Sequence, residues 1–448
     1  MKPVAGRGKD SAMWTYYPDL LETPVPRYTS FPTAAEFSPA VGRTELAAAL
    51  AATTGEVSLY VHIPFCEAIC WYCGCNTAAA NRRERLASYL GALHDEVALV
   101  GAQIGRGARI GRIAFGGGSP NAIQPAEFLR IVEALHRHFA LAERPVWSIE
   151  LDPRTLTPAW AEAVRAVGIG NASMGVQTFS PRLQQAIGRV QPERDIREGT
   201  ALLRAAGVAS LNFDLMYGLP GQTRAELDDA LARSSALGAD RIALFGYAHV
   251  PHLIPRQRRI DARALPDQAA RFALAARGHD TLVGAGYQPI GFDHFARAAD
   301  ALAIAARERR LALNFQGFTD DAAPVLIGLG ASAISCFPEL LVQNEKNAGR
   351  YRMLVSDARL PAAQGVVRSA EDRTLGAIIA ALLCDGEAEI GDAAAVVSAL
   401  APFIARGLAR LDGGRLGIAP DGLPYARSIA ALFDPYRRQS PRRFSAAL

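Results

Sequence analysis

Residues 57–76 read Val57-Ser58-Leu59-Tyr60-Val61-His62-Ile63-Pro64-Phe65-Cys66-Glu67-Ala68-Ile69-Cys70-Trp71-Tyr72-Cys73-Gly74-Cys75-Asn76. The first seven residues form a β-rich run, Val57 to Ile63, and four of the six cysteines in the chain follow it at once. Downstream, comparable runs recur between amphipathic helical stretches: Ile110 to Phe115, Trp147 to Leu151, Ala172 to Val176, Leu211 to Met216 and Ile242 to Tyr247. This alternation predicts a parallel sheet. Between the strands, Leu86, Tyr89, Leu90, Leu93, Val97 and Val100 fall on one helical face, as do Phe128, Ile131, Val132, Leu135 and Phe139, so both faces are expected to pack on the sheet. Thr157-Pro158 and Ser180-Pro181 pair an N-cap with proline at the first helical position, and Thr223 with Glu226 forms a capping box closed by Gly238. Six or more such units fit a full or partial β/α barrel better than an open doubly wound sheet.

Outward from this core, residues 1–55 precede the first strand. They carry Pro26-Arg27-Tyr28-Thr29-Ser30-Phe31-Pro32-Thr33, the composition of an ordered arm rather than a linker. The barrel is expected over 56–364. Over 365–448 the alternation stops, and the chain reads as a small helical domain with a glycine-rich hairpin near Leu411 to Ile418.

Composition narrows the function classes. Half of the 448 residues are apolar, 21% are charged and 8% aromatic, which is ordinary soluble usage and argues against disorder or a fibre. The net charge of +4 is small and the basic residues are dispersed, so nucleic acid is not a favoured partner. Met1 to Asp10 has no apolar stretch of the roughly 7 to 15 residues that a signal peptide uses, and the expected location is the cytoplasm. No window reaches the roughly 18 apolar residues of a spanning helix. The basic tail Arg437-Arg438 and Arg442-Arg443 reads as solvated surface able to attract an anion.

Six cysteines are too few for a disulfide scaffold in a chain this long, and their crowding points to metal. Cys66, Cys70 and Cys73 are spaced C-x3-C-x2-C. Three thiolates on one loop can hold three irons of a cubane, leaving the fourth iron open to a small molecule, which means chemistry rather than electron transfer alone. Zinc, the alternative, favours two paired C-x2-C knuckles, and a second pair is missing. Cys75 lies too near Cys73 for an unstrained fourth corner. Cys336 and Cys384 sit in apolar surroundings and read as buried small hydrophobes.

In a barrel, functional residues collect where strands end. Gly116-Gly117-Gly118-Ser119-Pro120 ends the second strand, and its bare backbone can approach a ligand and offer N–H groups, although any tight turn supplies the same glycines. Glu150 ends the third strand inside an apolar run and needs a polar partner. Gln177 ends the fourth. Asp214 lies in the fifth, as a ligand group or a salt-bridged structural acid, with Asn212 expected on the opposite face. His62, His249 and His294 beside apolar strand residues read as hydrogen-bonded core histidines.

Taken in order, HIPFCEAICWYCGCN (62–76), GGGSP (116–120), SIELDPR (148–154), SMGVQTF (173–179), NFDLMYGLPGQT (212–223), GYAHVP (246–251), DHFA (293–296) and NFQG (314–317) resemble the oxygen-independent coproporphyrinogen III oxidases (dehydrogenases) of the radical S-adenosylmethionine superfamily. The likeness begins at Pro26 to Phe37 and reaches Arg443-Phe444-Ser445.

The resemblance implies an incomplete β/α barrel of the radical type with a helical C-terminal domain. It implies a [4Fe-4S] cluster on Cys66, Cys70 and Cys73, and two molecules of S-adenosylmethionine. By motif position Tyr60, Tyr72, Gly117 and Glu150 would touch the molecule on the cluster, while Gly118, Ser119, Gln177, Arg189, Asp214, Ala248 and Ile334 would hold the second. Tyr60, Glu150 and Gln316 are the implied catalytic residues. The implied reaction uses a 5'-deoxyadenosyl radical to convert two propionates of coproporphyrinogen III to vinyl groups, giving protoporphyrinogen IX. A reduced flavodoxin- or ferredoxin-type donor, a separate electron acceptor and a monomeric chain are also implied. A substrate with four carboxylates suits a mildly basic protein.

Three positions depart from the family pattern: Ser119 in place of threonine, Ala312-Leu313 where a basic residue is usual, and Phe318 in place of tyrosine. Two further readings of the same fold are a haem-binding or haem-delivering protein, and a radical enzyme acting on another tetrapyrrole.

Overall fold

A computed structural model describes residues 14–81, 83–391 and 394–439; the stretch Met1 to Asp10 and the pair Arg442-Arg443 lie outside them. One large sheet organises the molecule. Its strands, numbered along the chain, are β1 (Gly55–Ile63), β2 (Ala108–Gly117), β3 (Leu141–Leu151), β4 (Asn171–Gln177), β5 (Ser210–Tyr217), β6 (Arg241–Gly246), β7 (Tyr287–Ile290), β8 (His294–Arg297), β9 (Val325–Leu329), β10 (Ile334–Phe337), β11 (Leu340–Asn344) and β12 (Ala362–Val367). In space they run β12-β11-β10-β9-β1-β2-β3-β4-β5-β6-β8-β7. The sheet stays open, and the partial barrel is its parallel middle.

From β9 through β1 to β6 every neighbouring pair is parallel. The six runs read from the sequence are therefore real, and helical crossovers return the chain to the same edge each time. The helix Arg83–Gln103 buries Leu86, Tyr89, Leu90, Leu93, Val97 and Val100, and Pro125–His138 buries Phe128, Ile131, Val132 and Leu135. Thr157 Oγ1 accepts from Trp160 N, Ser180 Oγ from Leu183 N, and Thr223 and Glu226 close a reciprocal box. These caps supply partners for backbone donors that a helix start leaves unpaired.

Both margins of the sheet are antiparallel: β8 and β7 beyond β6, and β10, β11 and β12 beyond β9. Short turns join β7 to β8, β9 to β10 and β10 to β11, and a turn can join only antiparallel neighbours, whereas β11 reaches β12 through the helix Ala348–Ser356. The edge strand β12 runs across residue 365. Beyond it come helices and a three-stranded sheet in which the hairpin Ala409–Asp412 and Arg415–Ile418 is joined by Glu387–Glu389, a strand the sequence pattern does not reveal.

The residues before β1 pack on the body. Arg27 Nη2 meets Asp293 Oδ2 at 2.5 Å, Tyr28 donates to Asp434 at 3.0 Å, and Tyr17 N donates to Tyr425 Oη at 2.8 Å. Among the described residues no helix is long and apolar enough to cross a membrane.

One expectation is corrected. Asn212 and Asp214 share a face of β5, and Asn212 Nδ2 donates to Asp214 Oδ1 at 2.8 Å. Strand side chains alternate with period two, so residues two apart point the same way.

Candidate active site

The parallel strands bring their C-terminal ends to one edge, and the cysteine loop crosses it. Phe65 and Cys66 pair with Ala78 and Ala79, Trp71 N donates to Ile187 O at 3.0 Å, and Gln257 Nε2 donates to Tyr72 O at 2.9 Å. So tethered, Cys66, Cys70 and Cys73 line one cavity whose floor is made by the strand ends. Cys75 N donates to Cys73 Sγ at 3.4 Å, which places the fourth cysteine beside the third ligand candidate.

Arg189 is the hub. Its guanidinium donates to Cys70 Sγ at 3.3 Å, Asp152 Oδ1 at 3.2 Å and Gly175 O at 2.6 Å, while Nε donates to Gln191 Oε1 at 3.1 Å. Burial works to lower its pKa, but Tyr72, Asp152 and Cys70 outweigh burial and raise it. Asp152 also takes Arg154 at 2.5 Å. Burial pushes the Asp152 carboxyl up, yet its two arginines hold it below the usual range. Two guanidiniums and one carboxylate thus lie beside the thiols; burial pushes the Cys66 thiol up to about 12, while the hydrogen bond with Cys75 pulls Cys73 down to about 6.

The glycine turn fits too closely for any side chain. Gly117 has φ +114°, and a Cβ there would stand 2.5 Å from the His62 ring; a Cβ on Gly118 would stand 2.4 Å from the Phe65 carbonyl oxygen. Gly117 N donates to Glu150 Oε2 at 3.2 Å. Burial, then the neighbouring Asp214, push the Glu150 carboxyl up to about 7. Tyr60 is buried behind it: a Cβ on Gly116 would lie 2.8 Å from both the Tyr60 hydroxyl and the Glu150 carboxyl, and the Tyr60 ring meets Phe315 edge-on at 4.7 Å.

Asp214 accepts from Asn212 and, at 3.2 Å, from Ser173 Oγ; burial raises its pKa. Gln177 ends β4 at φ +65°, a left-handed conformation costing on the order of 1–3 kcal/mol for a side chain of this kind and characteristic of functional sites. Ser119 Oγ donates to Asn121 Oδ1 at 2.6 Å, and Asn121 is bonded in turn to Asp152 backbone atoms.

Eleven expected residues thus share one cavity: Cys66, Cys70, Tyr72, Cys73, Gly117, Gly118, Ser119, Glu150, Gln177, Arg189 and Asp214. Four others do not line it: Tyr60 lies behind Glu150, and the remaining three stand further off. Ala248 faces a neighbouring cavity with Arg27 and Arg427, Ile334 lies with Phe315 and Ser30, and Gln316 is exposed on the turn between Ala312–Asn314 and Gly317–Thr319.

The sequence reading missed Asp152, Arg154, Ser173 and Gly175 as lining residues. All four sit inside SIELDPR and SMGVQTF, and Ser173 and Gly175 stand four and two places before Gln177, on its face by strand period until the bulge after Gly175. His62 is buried, with its imidazole pushed down to about 4 by burial; it is a core residue against the glycine turn. His249 and His294 are bonded to Tyr247 and Asp293. Burial raises the Cys336 thiol, and pushes Cys384 up to about 12.

The residues suit a cluster better than a single ion. Among the described residues no three His, Cys, Asp or Glu side chains converge as ligands of one metal would, whereas a cubane binds each thiolate to a different iron. Bare backbone at Gly117 and carboxyls at Glu150 and Asp214, all on the wall facing the thiols, suit an amino-acid and ribose ligand.

Residues 60–233 match the radical S-adenosylmethionine superfamily, so the fold and its three-cysteine loop define a radical enzyme. Over the full length, the oxygen-independent coproporphyrinogen III oxidase of Bradyrhizobium diazoefficiens is 42% identical, covering 93% of this chain and 95% of the relative. The Escherichia coli relative of the same name is 34% identical, covering 93% and 94%. A solved structure of the Escherichia coli coproporphyrinogen III oxidase, a radical enzyme, superposes with a TM-score of 0.89 at 32% identity, covering 95% of this chain and all of that one. The chain belongs to the oxygen-independent coproporphyrinogen III oxidases.

Proposed function

We propose that this chain oxidatively decarboxylates two propionates of coproporphyrinogen III to vinyl groups in haem biosynthesis, without oxygen. The observation that carries the reading is the cavity itself: Cys66, Cys70 and Cys73 share it with glycine backbone and two carboxyls. When bound, a [4Fe-4S] cluster and S-adenosylmethionine supply a 5'-deoxyadenosyl radical able to take a hydrogen atom from a propionate β-carbon, with an external reductant and a separate one-electron acceptor completing the balance.

Cys66, Cys70 and Cys73 hold the cluster. The Arg189 and Arg154 guanidiniums stabilise negative charge on the thiolate of Cys70. Gly117 offers close backbone, and Glu150 takes the amino group of the cofactor: a carboxyl near 7 ionises when a cation docks against it. Tyr60 backs Glu150 and shields it from water. Asp214, Gln177, Ser119 and Gly118 form the remaining polar wall, with room for a second cofactor molecule beside Arg189. Gln316 and Ile334 stand toward the substrate side with Phe315. A reduced flavodoxin- or ferredoxin-type donor fits the electron requirement.

The test is an anaerobic assay of reconstituted protein with coproporphyrinogen III, S-adenosylmethionine, a reductant and an acceptor, with Cys70→Ser as control. Protoporphyrinogen and 5'-deoxyadenosine should form, and both should vanish in the variant. Stoichiometric haem binding without turnover would overturn the proposal in favour of a delivery protein.

A further inference from the structure

A second cavity opens beside Ala248 between β6, the residues before β1 and the C-terminal helical segment. Arg27 and Arg427 both line it. They lie at 5.5 and 5.2 Å from the centre of the same ring, Phe292, and Arg27 also lies 4.9 Å from that of Phe245. The two cations differ in their partners. Arg27 is neutralised by Asp293, which also accepts from His294 at 2.7 Å. Arg427 hydrogen-bonds to no acceptor among the described residues; it lies over the Phe292 ring and feels the Asp293 carboxylate only through space.

The surroundings sharpen the asymmetry. Arg271, next to the cavity wall at Gly246, donates to the Tyr247 carbonyl at 2.5 Å. Asp293 is the one carboxylate lining the cavity, and it is already bonded to Arg27 and His294. Burial and the like charge of Arg27 depress the Arg427 pKa to about 10, still charged at neutral pH. The Trp14 indole N–H, buried on the same cavity, has no acceptor among the described residues either. A partly buried guanidinium with five donors and no acceptor is costly unless an anion meets it.

The cavity also communicates with the reacting end. Arg27 lines both it and a groove holding Phe315 and Ile334, and Phe315 packs on Tyr60. Ala248 is tied through the Gln257 side chain to the carbonyl of Tyr72 in the cysteine loop.

We propose that Arg427, held in place across Phe292 from Arg27, is the anchor for a substrate carboxylate that does not react while another propionate lies at the cysteine cavity. This rests on the tetrapyrrole reading above. A guanidinium can grip a carboxylate through two parallel N–H groups, and a grip equal in ground and transition states acts on KM rather than kcat.

The probe is coproporphyrin III, the fluorescent oxidised tetracarboxylate, titrated into reconstituted holoenzyme, with its tetramethyl ester as the uncharged control. Arg427→Gln should weaken binding of the acid at least about tenfold, leave the ester unchanged, and raise KM for coproporphyrinogen III with little change in kcat. Arg427→Lys, which keeps the charge without the fork, should recover part of the affinity. Acid binding within twofold of the parent in Arg427→Gln, with iron content intact, overturns the anchor and leaves the reaction standing. A parent that binds the acid through Arg427 but does not decarboxylate coproporphyrinogen III overturns the reaction and leaves the anchor. A parent that binds no coproporphyrin overturns both.

Discussion

The parallel middle of the sheet and its antiparallel margins do different work. In the middle, long connections return every strand to the same edge, so β2, β3, β4 and β5 deliver Gly117, Glu150, Gln177 and Asp214 to one cavity. At the margins most strands are joined by short turns, and residues there and in the segment before β1 contribute walls: Arg27 against Asp293, Phe315 against Tyr60, Ile334 beside them. Chemistry that needs several converging groups sits where topology makes strand ends converge, while recognition of a larger substrate falls to the margins.

The comparison breaks most visibly at the cysteines. Cys70→Ser is expected to abolish activity and the visible iron–sulfur absorption together, whereas Cys384→Ser, outside the cavity, should leave both intact; anaerobic spectra and iron content after reconstitution decide it. Next in size is Arg189→Gln. The Arg189 side chain is only 8% exposed and holds Asp152, Cys70 and Gly175 at once, so its loss should destabilise the fold by about 3 kcal/mol, read from denaturant unfolding of the cluster-free protein. Gly118→Ala meets backbone rather than a movable side chain, and about 2 kcal/mol is expected in the same measurement.

Glu150 gives a pH test. Its carboxyl is raised from 4.5 to about 7 in the folded chain, so between these values the folded state holds the proton and the unfolded state does not. Stability is therefore greatest below about 4.5 and falls as pH rises to about 7. Unfolding midpoints of the cluster-free parent should drop across that window, and Glu150→Gln should flatten the slope. The smallest effect is Thr157→Ala, which removes one cap outside both cavity linings and should cost about 1 kcal/mol with kcat unchanged.

How much of this the sequence disclosed follows the same division. The middle was legible because its strands are β-rich runs that recur between helical stretches with an apolar face or a cap. The margins were not: β7, β8 and β10 are four residues each, too short for a periodic signal, and β12 continues the sheet where alternation with helices has ended. The site divides likewise. Cys66, Cys70 and Cys73 declare themselves by spacing alone. Asp152 and Arg154 are silent in one dimension, since only the fold shows that they meet Arg189 from another strand end. Ala248 and Ile334 contribute no chemistry-bearing side chain, and Gln316 stands on an exposed hairpin turn, so nothing in their residue type marks them. Asn212 and Asp214 show the opposite case, in which strand period alone gives the right answer.

The central claim is that the cavity at the parallel strand ends aims a radical at a propionate β-carbon. It is tested most directly with coproporphyrinogen III deuterated at those carbons, incubated anaerobically with the reconstituted enzyme, S-adenosylmethionine, a reductant and an acceptor. The account predicts deuterium in 5'-deoxyadenosine, formed together with protoporphyrinogen IX. Unlabelled 5'-deoxyadenosine beside unchanged porphyrinogen would contradict it.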